Sequence, residues 1–113
     1  MKPERHRHLA QRIERSLRRC GDQDWEMKIE AAMLAGTHWA NYALHLQRVS
    51  GLSEDIVHTS MLVVNVLRKY SILEGAMMQQ LGEIEELRPL HVRGDVPGGD
   101  AAARHALQLL EQI

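Results

Sequence analysis

Phenylalanine is absent from this chain, and its only aromatic residues are two Trp and two Tyr. A core without many large rings has to be filled by Ala, Leu, Met, Ile and Val, a mixture that favours helix over sheet. Cysteine occurs once, as Cys20, which excludes an intramolecular disulfide and any Cys-x-x-Cys metal or redox motif. There is no run of 18 apolar residues and no secretory signal, so the expectation is a cytoplasmic protein with no membrane association. Phosphate-cradling glycine loops are missing as well, since Gly94, Gly98 and Gly99 match neither dinucleotide nor P-loop spacing. No serine stands in a Gly-x-Ser-x-Gly turn, and Cys20 sits on the apolar seam of a helix, so nucleophilic catalysis finds no support. The Arg93-Gly94-Asp95 triplet reads as a turn.

What is present fits one domain, residues 1–113, with 44% hydrophobic and 26% charged residues. The net charge of −1 hides an asymmetry: residues 1–19 carry seven Lys and Arg against Glu4 and Glu14, leaving seven basic against thirteen acidic groups in the rest. A basic helix on an acidic body can dock on that body, or on the body of a second copy. Nucleic-acid binding is not expected, because this helix has no aromatic residue on which bases could stack.

The pattern along the chain predicts four principal helices. Pro3 suits the start of the first, with Leu9, Ile13, Leu17 and Cys20 as its apolar seam. Gly21 suits its end, and Asp22 or Asp24 can cap the second helix, read as about Trp25 to Ser50 with a stop at Gly51. Ser53, Thr59 or Ser60 can cap the next segment, and Leu62, Val66, Leu73, Met77, Leu81, Ile84 and Leu87 keep helical phase to Arg88. That phase predicts one long third helix over 60–88 in place of two shorter ones, ended by Pro89. A loop follows over 89–100, and Asp100 caps a last helix that buries Ala103, Ala106, Leu107, Leu110 and Ile113. The expected architecture is all-α: an up-down four-helix bundle with two long central antiparallel helices and shorter terminal ones.

Two features of the second helix bear on function. At 100° per residue, Thr37, Glu30, Arg48, Asn41, His45 and His38 fall in one polar stripe, while apolar residues occupy most of the remaining circumference. The stripe can face water or form a half-buried polar layer. Alternatively, Glu30, His38, Asn41, Tyr42 and His45 line a ligand cleft with His58, Arg88 and His91. The second feature is the small-residue series Ala32, Gly36 and Ala40, with Ala43 nearby. It invites close approach by another helix, and a homodimer through these four residues is expected.

A metal site is not expected. His38 and His45 are seven residues apart, about 10 Å along one helix, too far to share an ion. Asp55 and His58 have the i, i+3 spacing of a di-iron carboxylate–histidine pair, but the second pair that such sites need is missing, and Glu30 is the one further carboxylate in reach. His6 and His8 lie at the start of the first helix, where fraying argues against a site.

The order of features resembles the HEPN superfamily of small helical bundles over roughly residues 27–93. The likeness is carried by AGTHWANYALH from Ala35, DIVHTSML from Asp55 and ELRPLHVRGD from Glu86. The resemblance implies a helical fold and a dimeric, partner-binding habit of the kind seen in members that accompany nucleotidyltransferases. It does not imply RNase activity, because no Arg here is followed by four to six residues and then His. The expectation is a non-enzymatic helical-bundle protein acting by dimerisation and protein partner binding, with no cofactor. The alternative is a small-molecule or nucleotide-binding enzyme subunit that uses the histidine-lined cleft as acid or base.

Overall fold

In the computed structural model the structure describes residues 1–52, 55–56, 75–94 and 96–113. Among these the chain is all-helical: α1 (Pro3–Leu17), α2 (Trp25–Leu46), α3 (Gly75–Arg88) and α4 (Gly99–Gln112), with a π-helical turn at Pro89–Arg93. The possible caps Ser53, Thr59 and Ser60 lie outside the described residues, as does the 60–74 part of the long third helix. The central helix is α2: α1, α3 and α4 all pack on it, and α3 also packs on α4.

The terminal helices follow the sequence pattern closely. Pro3 opens α1, where a missing N–H costs nothing, and Glu4 complements the positive end of the helix. His6 and Ala10 are buried, and Ile13 and Leu17 pack against the core. Cys20 falls beyond the end of the helix. Asp24 occupies the capping position of α2 without bonding into the helix; its Oδ2 instead accepts the Gly21 N–H at 2.7 Å, which closes the connecting turn.

At the other end, Gly98 takes φ 95° at the entry to α4, a conformation suited to glycine. Asp100, expected as the cap, sits one residue inside the helix. A Cβ on Gly99 would stand 2.5 Å from Cδ1 of Trp25, so the first turns of α2 and α4 meet ring on backbone. Ala102, Ala103, Ala106, Leu109 and Leu110 are buried, with Leu107 and Ile113 packed at the margin.

The small-residue face of α2 is consumed within the chain, which corrects the expected dimer interface. Ala32 and Ala40 are fully buried, and a Cβ on Gly36 would meet Leu81 Cδ1 at 3.1 Å and Ile113 Cδ1 at 3.2 Å. A second copy cannot reach Ala32, Gly36 or Ala40; only Ala43 is partly exposed. The core is completed by Ile29, Met33, Leu44, Met78, Leu81 and Ile84, each of which gains about 1.5–3 kcal/mol from removal of its side chain from water.

Two helix ends differ from expectation. The α-helix stops at Arg88 as Pro89 requires, yet residues 89–93 continue as a wide turn closed by Gly94 N–H on the Pro89 carbonyl, where a loop was predicted. More consequential is the end of α2, which comes at Leu46 and not at Ser50. Arg48 takes φ 59°, and the Val49 and Arg48 N–H groups bond back to the carbonyls of Leu44 and His45. This is the Schellman closure with arginine where glycine is usual. It turns the chain back along α2 and directs Ser50, Asp55 and Ile56 toward the helix they have just left.

Candidate functional site

The polar stripe of α2 is mostly interior. Thr37, Asn41 and His45 are 3%, 1% and 5% exposed, His38 is half-buried, and only Arg48 is fully at the surface. The purely water-facing reading of this stripe is therefore ruled out. Each buried member is satisfied. Thr37 Oγ1 donates to the Met33 carbonyl at 2.8 Å. Asn41 holds the returning chain by both ends of its amide, donating to the Ile56 carbonyl at 2.9 Å and accepting the Ile56 N–H at 2.8 Å.

That clamp sets Asp55 against two histidines. His45 Nε2 lies 2.6 Å from Asp55 Oδ1, and His6 Nε2 from α1 lies 2.9 Å from the same oxygen. A carboxylate can only accept, so both ring nitrogens carry hydrogen. With its hydrogen on Nε2, neutral His6 has a bare Nδ1, which accepts from His38 Nδ1 at 2.9 Å. In the same way His45 Nδ1 accepts from the Ser50 hydroxyl at 2.9 Å. The amino group of Met1 donates to Asp55 Oδ2 at 3.2 Å and to the Leu52 carbonyl. A continuous chain of hydrogen bonds thus runs from His38 through His6, Asp55 and His45 to Ser50.

The electrostatics agree on one protonation state. Burial alone would raise the Asp55 carboxyl, but hydrogen bonds from His45, His6 and the amino terminus bring it down to about 2. Burial pushes the His6 imidazole below its ordinary value, although Asp55 pulls it the other way. At neutral pH the carboxylate is therefore ionised while His6 is neutral, and their contact is a charge-assisted hydrogen bond and not an ion pair.

The remaining expected site residues lie elsewhere. Glu30 is about 22 Å from His45 along α2 by helical rise, where its Oε1 accepts from Arg88 Nε at 2.7 Å while Glu85 accepts from Nη1 at 2.8 Å. Burial disfavours the Arg88 cation, but the Glu30 and Glu85 hydrogen bonds more than compensate and raise its pKa. Tyr42 is half-buried with its ring edge-on to Trp39 at 5.8 Å, and Trp39 Nε1 donates to Glu14 of α1 at 3.1 Å. His91 bonds the Val96 carbonyl through Nδ1 at 3.3 Å. His58 lies outside the described residues. Sequence reasoning placed His38, Asn41 and His45 on one face but missed His6, Ser50 and the role of Asp55 as the shared partner of His6 and His45.

Chemically, Ser50, His45 and Asp55 are linked in the order of a hydrolytic triad but with the two ring nitrogens interchanged, and Ser50 is only 5% exposed, so its hydroxyl is closed to substrate in this arrangement. The ring nitrogens of His6 and His45 and an oxygen of Asp55 lie within 4.8 Å of one another, a grouping able to hold a cation. No described helix is long and apolar enough to cross a membrane. No protein-family model, curated protein or solved structure matches the chain, so the functional reading rests on this site.

Proposed function

We propose that this chain is a non-enzymatic helical-bundle protein that works by association with a protein partner, and that α1 is the element held or released. The observation that carries the reading is the convergence of α1, α2 and the returning chain on the Asp55 carboxylate. α1 is held by apolar contact through Ala10, Ile13 and Leu17 as well as by the polar contacts of its buried His6. Each net hydrogen bond adds about 0.5–1.5 kcal/mol, so the Asp55 cluster adds to those apolar contacts a component that a proton or an ion can change.

Released, α1 is a basic amphipathic helix, and the acidic remainder of a second copy is a complementary surface for it. The reading thus includes a homodimer formed through α1, in place of the small-residue face of α2. It extends to an up-down order of the four helices and a HEPN-like kinship, and it leaves nucleic acid out. The enzyme-subunit alternative is disfavoured by the burial of Ser50 and His45.

Amide exchange and sedimentation on the full chain and its Asp55→Asn variant test the proposal. The variant is expected to speed exchange in α1 while α4 stays protected, and to shift the chain toward dimer at equal concentration. Unchanged α1 exchange together with an unchanged sedimentation coefficient would overturn it.

A further inference from the structure

We propose that His6, His45 and Asp55 form a binding site for one divalent first-row transition-metal ion, held by the two Nε2 atoms and Oδ1. The inference deepens the reading of the Asp55 cluster as the functional centre and names the ligand of that centre.

The donor set is two imidazoles and one carboxylate from three separate chain segments, a combination used for zinc and for open-sided iron, cobalt or nickel sites. With bonds of about 2.1 Å, neighbouring donors around such an ion stand about 3.0–3.4 Å apart. Here His6 Nε2 and His45 Nε2 lie 2.9 Å and 2.6 Å from Asp55 Oδ1. All three donors lie within 4.8 Å of one another, and to reach coordination spacing the two nitrogens move away from Asp55 Oδ1 by under about 1 Å.

The groups behind the ligands fit as well. A ligating histidine usually donates its other ring N–H to an acceptor, which fixes the ring and its tautomer. His45 Nδ1 faces the Ser50 carbonyl at 3.3 Å and the Ser50 hydroxyl at 2.9 Å, both able to accept. His6 Nδ1 faces His38 Nδ1 at 2.9 Å, which accepts once His38 carries its own hydrogen on Nε2. Loading then exchanges tautomers: in His6 and His45 the hydrogen leaves the Nε2 that meets the ion and reappears on Nδ1, while in His38 it passes from Nδ1 to Nε2. His38 is a positioning residue in this scheme and not a ligand. With three protein ligands the ion keeps at least one position for water or another small donor.

The test uses the full chain after chelator treatment, titrated with Co2+ and followed by its visible absorption, and with Zn2+ by calorimetry. One ion per chain is expected, and His6→Ala, His45→Ala and Asp55→Ala should each weaken binding by about tenfold or more. His38→Gln should weaken it less than loss of a ligand does. His8→Ala, an exposed histidine two residues from His6, should bind like the parent. If His45→Ala proves unable to fold, Asp55→Asn carries the test, because that side chain is 31% exposed and circular dichroism can verify its helices.

Absence of one-to-one uptake would overturn the inference. So would binding that survives loss of Asp55 and His45, or that disappears with His8. Amide exchange on the same samples separates this inference from the association reading. Cobalt bound by the parent and lost in Asp55→Asn, with α1 exchange equal in the two metal-free chains, leaves the metal site standing and removes the latch. No cobalt bound, with α1 freed by Asp55→Asn, does the reverse.

Discussion

α2 is held from two sides by different physics. Toward α4 it presents Trp25 and Gly36, and the contact is ring on backbone and methyl on glycine, with Leu110 and Ile113 beside the space that Gly36 leaves. Toward α1 it presents His38, Trp39 and His45, and the contacts are hydrogen bonds to His6, Asp55 and Glu14. Close-packed apolar contact is insensitive to pH and cations and is lost only when the core opens. A buried polar cluster contributes less net energy but responds to any proton or ion that competes for its acceptors. The two tryptophans report the two sides separately, Trp25 against Gly99 and Trp39 against Glu14.

The largest expected effect lies on the apolar side. Leu110→Ala should cost about 2–5 kcal/mol through lost transfer energy and the cavity left beside Gly36, measured as a lower urea midpoint. Ile13→Ala, at the half-buried margin of α1, should cost clearly less, and equal losses would break the comparison. Next comes Asn41→Leu, which strands the buried N–H and carbonyl of Ile56. About 1–3 kcal/mol is expected, and faster exchange of the Ile56 amide should accompany it.

Acid should act on the polar side first. Asp55 sits at about 2 in the folded chain against an ordinary 3.8, so its stabilisation is complete above about pH 4 and is lost as the pH falls toward 2. The loss is on the order of 1–2 kcal/mol once its partial exposure is allowed for. His6 acts in the same sense at higher pH: its folded value lies below 6.5, so the unfolded chain takes up the proton first and stability declines as the pH drops below 6.5. In the metal-free chain, Trp39 fluorescence should therefore change at a higher pH than that of Trp25. Coincident transitions would show that the two sides unfold as one. The smallest effect is a gain: Arg48→Gly relieves a left-handed arginine and should stabilise by up to about 1 kcal/mol, since glycine's extra freedom in the unfolded chain offsets part of the relief. Thermal melting checks it.

Much of the site was within reach of pattern reasoning. His38, Asn41 and His45 share a helical face, and that face is where the cluster forms. His6 could have been found too, since His6, Ala10, Ile13 and Leu17 follow one face of α1; weighing it as a frayed terminal residue hid that. Asp55 and Ser50 had no comparable signal. They reach His45 because α2 ends at Leu46, five residues before the glycine that was expected to stop it, and the chain reverses at Arg48 in a conformation that local preference disfavours. The expectation of no metal site rested on spacing along one helix, which excludes His38 with His45 but says nothing about donors brought together from three segments.

The sequence by itself determined that the chain is helical, where its first and last helices lie, and that a polar stripe and a small-residue face share the second, because these follow from periodicity and from residue size, which are local. Which partner each face received was decided only by tertiary structure. Whether Gly36 meets α4 or a second copy, and whether His45 meets water or Asp55, depends on competition among distant segments for the same surface. That outcome is set by shape and by the need to satisfy every buried polar group, neither of which is written in any single stretch of residues.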